Sequence, residues 1–533
     1  MKYNIWKSTL LVVLAILFIL GGCSSQETGS SQQEEPAKEN QGSGEPVKGG
    51  DLTVGMGADL TKLDLHTSTV LSDRIPLLHV QEMLVTIDDN MKIVPMLAKD
   101  WEMSEDKKKI TFNLRNSVKF HNGKEMTSED VKYSIERFME VSPRKGEFSM
   151  VKSIEAPDKS TVVFNLKNPS GVFLASLANP FNPAVIVPKG LAEEQGGEIT
   201  EPIGTGPFKF VSWDQGKDLV LARYDDYKSL EGDASGFSGK KEAYIDQVVF
   251  KPISEPSVRV TSLQTGEIDV ALDVLPKDVN RLKSIENIVV DNKPSMNWGM
   301  LQFGMNKPPF DDPKMRKAVA YAISKEEIVN VATRQLGEVA HSPVFPETEW
   351  YNDQHKKDYE QNLEKAKELV EESGYNGEPI VISTSKAYDH HEKTAMVLKT
   401  QLEKIGLKVE VEALEWASFI SDRWVTGDYH LLNGHITPRP DPNQIYYAYL
   451  QSSSSYNGYK SEKMDQLLEE GLMETDVNKR KEIYGEVQSL LREDLPFMSL
   501  YYYPIVEAHR DAVKGYESWS AGYPRFWNVW IEE

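Results

Sequence analysis

Alternating polar and apolar residues recur along this chain and predict β-strands. Ile110, Phe112 and Leu114 alternate with polar residues, the period-two pattern of a strand with one buried face. We expect another strand over residues 161–166. In a third strand, the apolar positions of residues 407–413 alternate with lysine and glutamate. Each of these segments therefore has one face for a core and one for solvent.

Apolar residues at helical spacing separate the strand patterns. Thr127 followed by Asp130 resembles a capping box, and Asp312 before Pro313 predicts an N-cap with proline in the first turn. Two further helices are predicted, each ended by a glycine: 363–373 before Gly374, and 395–405 before Gly406. Helices that alternate with strands predict an α/β fold with covered sheets.

The N-terminal residues predict export and a lipid anchor. A basic start precedes the apolar run Leu10–Leu20, which is too short to cross a bilayer comfortably. The segment Leu20–Cys23 resembles the lipobox of bacterial lipoproteins, in which the cysteine is acylated. We therefore expect residues 1–22 to be a lipoprotein signal peptide and Cys23 to be lipidated. An uncleaved anchor helix, or a secretory signal with a chance cysteine, is the alternative.

The segment after Cys23 predicts a flexible tether. Residues 23–48 are almost wholly small, polar or charged and cannot form a core. Such a chain has a reach of roughly 28 Å. The remaining residues, 49–533, exceed the size of a single core, so we expect at least two lobes. Because Cys23 is the only cysteine, this body forms no disulfide.

Charge and motifs exclude several functions. The formal net charge of −22 makes nucleic acid an unexpected partner. No phosphate-loop, HExxH or GxSxG motif occurs, so no catalytic residue and no cofactor are predicted. Residues 204–207 contain two glycines before a strand pattern and predict a structural turn. His390 and His391 are adjacent, and neighbouring side chains on a helix diverge by about 100°, so we expect no metal there.

The segment Leu97–Phe138 resembles the signature of the family 5 extracellular solute-binding proteins, the oligopeptide, dipeptide and nickel receptors of ABC importers. Matching positions there are Trp101, Leu114-Arg115, Phe120-His121-Asn122-Gly123 and the helical residues from Glu129 to Arg137. Later matches are Ile203–Phe208, Leu263–Val270, Pro309–Ile323 and Trp527-Asn528-Val529-Trp530. The resemblance covers essentially the whole body. We expect Arg115, His121 and Arg137 to make structural contacts.

The resemblance implies an α/β, two-lobed periplasmic-binding-protein-like clamp (type II, cluster C) that closes around a ligand. Lobe I would comprise residues 49–83, 203–300 and 502–533, with an extra inserted subdomain over 84–202. Lobe II would comprise residues 301–501. Two chain crossings, near 300 and near 500, would then form the hinge.

The resemblance also implies where a ligand would lie. Ligand-binding candidates, all at or near the expected interlobe cleft, are Trp298, Trp416, His435, Thr437, Arg439 and Asp441. Peptide receptors carry an aspartate for the ligand amino group at a position that Pro438 occupies here. Arg439 beside it favours carboxylate, phosphate or another planar acceptor. Alternatively, Arg439 pairs with Asp441 or with a surface acid. A second alternative is that another acid, Asp441 or Asp59, supplies the negative charge for the ligand amino group.

A receptor function follows from the resemblance. We expect a monomeric, non-enzymatic receptor that is lipid-anchored on the extracytoplasmic face of the cell membrane of a Gram-positive bacterium. Its expected partners are a peptide or small-molecule ligand and the permease subunits of an ABC importer. Two alternatives stay open. One is an exported enzyme acting at the cell wall, and the other is a nickel or metal-chelate receptor of the same fold, suggested by His390, His391 and His435.

Overall fold

The computed structural model describes residues 45–453 and 456–532. The predicted signal peptide, Cys23 and nearly all of the tether lie outside the described residues. Contacts group the described residues into one compact unit. Within the described part of the chain, no helix is both long and apolar enough to cross a membrane.

Nineteen strands form the sheets of the described residues. In chain order they are β1 Asp51–Met56, β2 Val85–Ile87, β3 Ile93–Pro95, β4 Ala98–Met103, β5 Lys109–Leu114, β6 Val151–Asp158, β7 Thr161–Leu166, β8 Phe208–Ser212, β9 Leu219–Arg223, β10 Gln247–Pro252, β11 Val270–Ala271, β12 Ile288–Phe303, β13 Glu338–Val339, β14 Ile380–Ser385, β15 Val409–Leu414, β16 Leu431–Ile436, β17 Phe497–Arg510, β18 Val513–Lys514 and β19 Trp530–Ile531.

Fourteen α-helices cover these sheets in the same part of the chain. They are α1 Leu71–Leu77, α2 Ser128–Val141, α3 Phe173–Leu177, α4 Leu191–Glu194, α5 Pro256–Thr265, α6 Val279–Lys283, α7 Pro313–Ala322, α8 Lys325–Ala332, α9 Leu363–Glu372, α10 Asp389–Glu403, α11 Trp416–Ser418, α12 Asn443–Leu450, α13 Glu462–Met473 and α14 Val477–Asp494. Short 3-10 turns cover Lys145–Phe148 and Pro276–Asp278, and a π-helical turn covers Phe419–Trp424.

Capping residues and alternating patterns in the sequence predict most of these helix and strand ends correctly. The strands over 110–114 and 161–166 are confirmed as β5 and β7. Helix α2 begins after Thr127 with the predicted capping box, and Asp312 caps α7 by accepting from the amide of Lys314 at 2.8 Å. Helix α10 differs, because it begins six residues before the predicted start at Ala395. Its N-cap residue, Tyr388, forms no side-chain cap, so the sequence carries no capping signal there.

One large sheet runs through most of the protein. Its strand order is β15-β14-β16-β12-β17-β11-β1-β10-β9-β8, with β13 beside β17. The long strands β12 and β17 pair antiparallel at the centre, between strands of predicted lobe II and strands of predicted lobe I. Their register shifts between Pro294 and Trp298 and again at Gly299. A separate four-stranded sheet, β4-β5-β7-β6, lies within predicted residues 84–202.

The glycines of residues 204–207 serve a tight turn. A Cβ at Gly204 would meet the backbone carbonyl of Val80, and one at Gly206 would meet that of His79. Strand β8 follows directly, so the predicted structural turn is confirmed. The three polar residues expected to be structural also have partners. His121 Nε2 lies 3.0 Å from the Gly206 carbonyl, Arg115 donates to backbone carbonyls including Ser229 at 3.0 Å, and Arg137 pairs with Asp64 in the core.

Candidate functional site

The early start of α10 brings three histidines together. His390 and His391 lie in its first turn, and His435 lies near the end of β16. His391 Nε2 is 2.9 Å from His435 Nδ1, and the rings of His390 and His391 have centroids 4.6 Å apart. The expectation that the adjacent histidines diverge is therefore wrong in this fold. We call His390, His391 and His435 the histidine cluster.

Two aromatic side chains border the histidine cluster. Tyr388 contacts His435 with ring centroids 4.8 Å apart, and its own exposure is 38%. Trp416 begins α11, stacks at 6.4 Å from His435 and is 40% exposed. The candidate Trp416 is thus a surface aromatic beside the cluster rather than a core residue.

The histidine cluster is uncharged at neutral pH. Burial lowers the pKa of His390 well below its usual value, and repulsion from the other two imidazoles adds to that effect. Burial, followed by the charge of His435, lowers the pKa of His391 to about 3. Burial lowers the pKa of His435 to about 4. All three rings therefore present neutral nitrogen lone pairs or N–H groups.

Arg439 and Thr437 follow β16 in a loop. Arg439 Nη1 donates to Thr437 Oγ1 at 2.7 Å and to the Pro438 carbonyl at 2.8 Å, and its side chain is half-buried. Within the described residues no carboxylate forms an ion pair with it, so Arg439 does not pair with Asp441. A cavity of about 20 Å³ adjoins Arg439, and Met91 and Met296 also line it.

Other charged residues surround Arg439. Loss of hydration lowers the pKa of Arg439, and the positive charges of Arg144 and Arg74 lower it further, against the opposing effect of Glu147. Arg74 Nε is buried and has no hydrogen-bond partner among the described residues. Sequence reasoning missed Arg74 and Arg144, because they lie more than 290 residues before Arg439 in the chain and carry no motif.

Asp441 is committed to another partner. Its two carboxylate oxygens accept from Arg480 Nη1 at 2.6 Å and Nη2 at 2.8 Å, and both side chains are almost fully buried. Asp59 is likewise engaged, accepting from the Gly216 amide at 2.7 Å and the Trp213 indole at 3.3 Å. Arg480 thus neutralises Asp441, which therefore cannot replace the acid that is missing at the position of Pro438.

Trp298 lies within the large sheet rather than on an open wall of the expected interlobe cleft. It pairs with Ile436 of β16 and with Tyr502 of β17, and it is fully buried. Its ring contacts Phe497 at 5.6 Å, while its Nε1 has no hydrogen-bond partner in the described part of the chain. Trp298 therefore packs at the point where the register of β12 shifts.

Asp273 is a further charged residue that sequence reasoning missed. It follows β11 in a left-handed conformation with φ of 53° and is exposed. Burial raises the pKa of Tyr388 and, to about 12, that of Tyr503, and the negative charge of Asp273 adds to both shifts. The negative charge of Asp273 thus affects two tyrosines that contact the histidine cluster, Tyr388 and Tyr503.

Comparison with known proteins assigns this architecture. The family described as bacterial extracellular solute-binding proteins, family 5 Middle, matches residues 92–458. The chain is 27% identical to the oligopeptide-binding protein AppA of Bacillus subtilis (strain 168), covering 96% of each.

Solved structures agree. The binding protein DppA of Helicobacter pylori, in complex with the peptide STSA, is 29% identical with a TM-score of 0.74, over 92% of this chain and 99% of that one. The binding protein AgaA of A. tumefaciens R10, in complex with agropinic acid, is 28% identical with a TM-score of 0.73, over 91% and 99%.

These matches confirm the predicted family, the two-lobed α/β fold class and the expectation of a non-enzymatic protein. The alternative of a cell-wall enzyme is therefore wrong. The chain belongs to the bacterial extracellular solute-binding proteins of family 5, the solute receptors of ABC importers.

Proposed function

We propose that this protein is a lipid-anchored receptor that captures a peptide or a related organic solute between two lobes and delivers it to an importer permease. Relatives named for oligopeptide and dipeptide binding support the peptide class, and the complex of AgaA with agropinic acid supports a wider organic class. Acylation of Cys23 would hold the receptor at the membrane.

The observation that carries interlobe capture is the cavity beside Arg439. Met91 and Met296 belong to predicted lobe I and its subdomain, whereas Trp350 and Arg439 belong to predicted lobe II. At about 20 Å³ the cavity holds little more than one water molecule, so a solute requires the two sides to separate. Apolar walls with one charged group are typical of ligand sites.

Strands β12 and β17 are suited to a hinge. They join the strands of predicted lobe I to those of predicted lobe II, and their pairing is irregular from Pro294 to Met300. An irregular ladder has fewer backbone hydrogen bonds to break when the strands bend. We therefore place the hinge at these register shifts, near the crossings proposed at residues 300 and 500.

The charges near the cavity favour an acidic ligand group. Arg439, Arg144 and Arg74 concentrate positive charge there, and Glu147 is the acid that opposes it. A buried ammonium needs a negative partner, which Pro438 does not supply and Asp441 cannot, since Arg480 holds it. A carboxylate or phosphate on the solute would instead gain charge-assisted hydrogen bonds from Arg439.

Calorimetry with matched ligands tests this proposal. We would titrate short peptides with free and acetylated amino termini, and anionic non-peptide solutes, into wild type and Arg439→Ala. The acidic ligands should bind whether or not the amine is free. Arg439→Ala should weaken them by about tenfold or more, since a hydrogen bond to a charged group contributes roughly 1.5–3 kcal/mol.

Arg281→Ala, at an exposed arginine of α6, is the matched control and should leave affinity unchanged. Binding of free peptides that acetylation abolishes and that Arg439→Ala does not alter would contradict the proposed preference and indicate recognition through the amine.

A further inference from the structure

We propose that the histidine cluster is a binding site for a divalent metal ion of the Co²⁺, Ni²⁺, Cu²⁺ and Zn²⁺ group. The proposal goes beyond solute capture and does not rest on it. It begins from one juxtaposition: three imidazoles from α10 and β16 offer nitrogen atoms that all lie within 4.8 Å of one another.

The distances fit a metal after small side-chain movements. Metal–imidazole bonds are about 2.0–2.1 Å, so two nitrogens on one tetrahedral metal are roughly 3.3 Å apart. His391 Nε2 and His435 Nδ1, now at 2.9 Å, would separate slightly. His390, whose ring centroid is 5.8 Å from that of His435, would approach by rotation of its side chain.

The histidine cluster has few hydrogen-bond partners for a buried group of polar rings. His391 Nδ1 is buried and has no hydrogen-bond partner in the described chain. His390 forms no hydrogen bond to any other described residue, although it is 7% exposed. Buried polar atoms are normally paired, and an unpaired one costs free energy. The cluster thus has hydrogen-bonding capacity that the described residues do not use.

The ligand set selects the class of metal. The group contains three histidines and no carboxylate, a composition that suits later first-row metals and not Mg²⁺ or Ca²⁺. Imidazole nitrogen suits Ni²⁺, Cu²⁺ and Zn²⁺ in particular.

A metal at this site would also be accessible from solvent and would keep an open coordination position. Tyr388 and Trp416 border it and are both well exposed, so the cluster lies close to solvent. Three protein ligands leave at least one coordination position of a tetrahedral metal for water or for a donor atom of a solute. A metal here could therefore add a coordinate bond to the recognition of a solute.

Direct metal titration tests the proposal. Full-length protein stripped with a chelator would be titrated with Co²⁺ alone, and the visible d–d absorption of Co²⁺ would report its coordination. We expect a single Co²⁺ per chain with a low-coordinate spectrum. Each of His390→Ala, His391→Ala and His435→Gln should weaken binding by more than about tenfold. His435→Gln keeps a hydrogen-bonding group towards His391, so it separates coordination from packing.

His341→Ala is the control, because His341 is an exposed histidine elsewhere that pairs with Asp358, and it should bind Co²⁺ as wild type does. Circular dichroism would confirm that every variant is folded. The proposal is overturned if wild type binds no Co²⁺ below about 1 mM, or if the three cluster variants bind it unchanged. Either result would leave solute capture untouched, since calorimetry with solutes measures that separately.

Discussion

At the scale of single residues, burial changes the pKa of one glutamate on the central strand β17. Glu507 on β17 is only 5% exposed, and it accepts hydrogen bonds from Tyr516 at 2.6 Å and from Ser518. Burial raises the pKa of Glu507 to about 7, and the charges of Asp273 and Asp291 also raise it, although the two hydrogen bonds oppose the shift. Between pH 4.5 and about pH 7, the folded protein therefore holds a proton on Glu507 that the unfolded chain releases.

This shift predicts a pH dependence of stability. Because the folded-state pKa exceeds the unfolded value of 4.5, the contribution of Glu507 is fully present below pH 4.5 and is lost as the pH rises through 7. The loss amounts to roughly 3 kcal/mol. We expect Glu507→Gln to remove this component, so that between pH 5 and pH 8 its free energy of unfolding falls less than that of wild type.

Urea unfolding at the two pH values measures the difference. Glu482→Gln, at an exposed glutamate of α14, is the control and should follow wild type. Parallel changes in wild type and Glu507→Gln would show that Glu507 is already ionised at pH 5.

At the scale of elements, the sequence predicts features that depend on neighbouring residues, but not contacts between residues far apart in the chain. The cap of α2 and the proline start of α7 depend on residues within four positions, so the sequence predicts them. The histidine cluster instead depends on β14 and β16 being parallel neighbours, which places α10 beside His435. No residue spacing in the sequence predicts that β14 and β16 pair. Asp441 likewise meets Arg480 only because α14 folds back on it.

A loop glycine offers a test of clamp closure. Gly171, in the predicted subdomain, donates its amide to the Leu472 carbonyl of predicted lobe II at 2.8 Å. A Cβ at Gly171 would meet the Glu474 carbonyl and come within 2.7 Å of Arg480 Nε. Gly171 has an ordinary negative φ, so alanine would strain this contact without straining its own backbone.

Gly171→Ala should therefore oppose closure. Overpacking costs about 1–3 kcal/mol, and if the contact forms only in the closed clamp, that cost lowers the apparent affinity for solute by about tenfold. Calorimetry should show weaker binding, and small-angle scattering should show a less compact protein, with little change in melting temperature. Gly485→Ala, where the nearest atom is at 3.5 Å, is the control. Unchanged affinity and scattering for Gly171→Ala would mean that these two parts do not separate.

At the scale of the whole molecule, the resemblance in the sequence was sufficient for family, fold class and non-enzymatic function. Long runs of matching residues identify a fold because they preserve its core and turns, as Gly204 and Gly206 do here. The ligand is a different matter. The residues that we propose for its recognition, Arg439, Arg144 and Arg74, lie far apart in sequence, and a shared fold does not specify which solute they bind.

Anchoring through Cys23 is the remaining prediction at the scale of the whole molecule. The full chain has a formal net charge of −22, which an anionic lipid surface would repel. Acylation of Cys23, as we propose, would supply the attachment, and two acyl chains hold a protein stably. Cys23→Ser should release the protein from washed membranes into the soluble fraction or medium while its solute affinity stays as in wild type. Cell fractionation in high salt with immunoblotting measures this, and Ser25→Ala, two residues away, should remain membrane-bound. Persistence of Cys23→Ser in the membrane fraction would indicate an uncleaved apolar segment as the anchor instead.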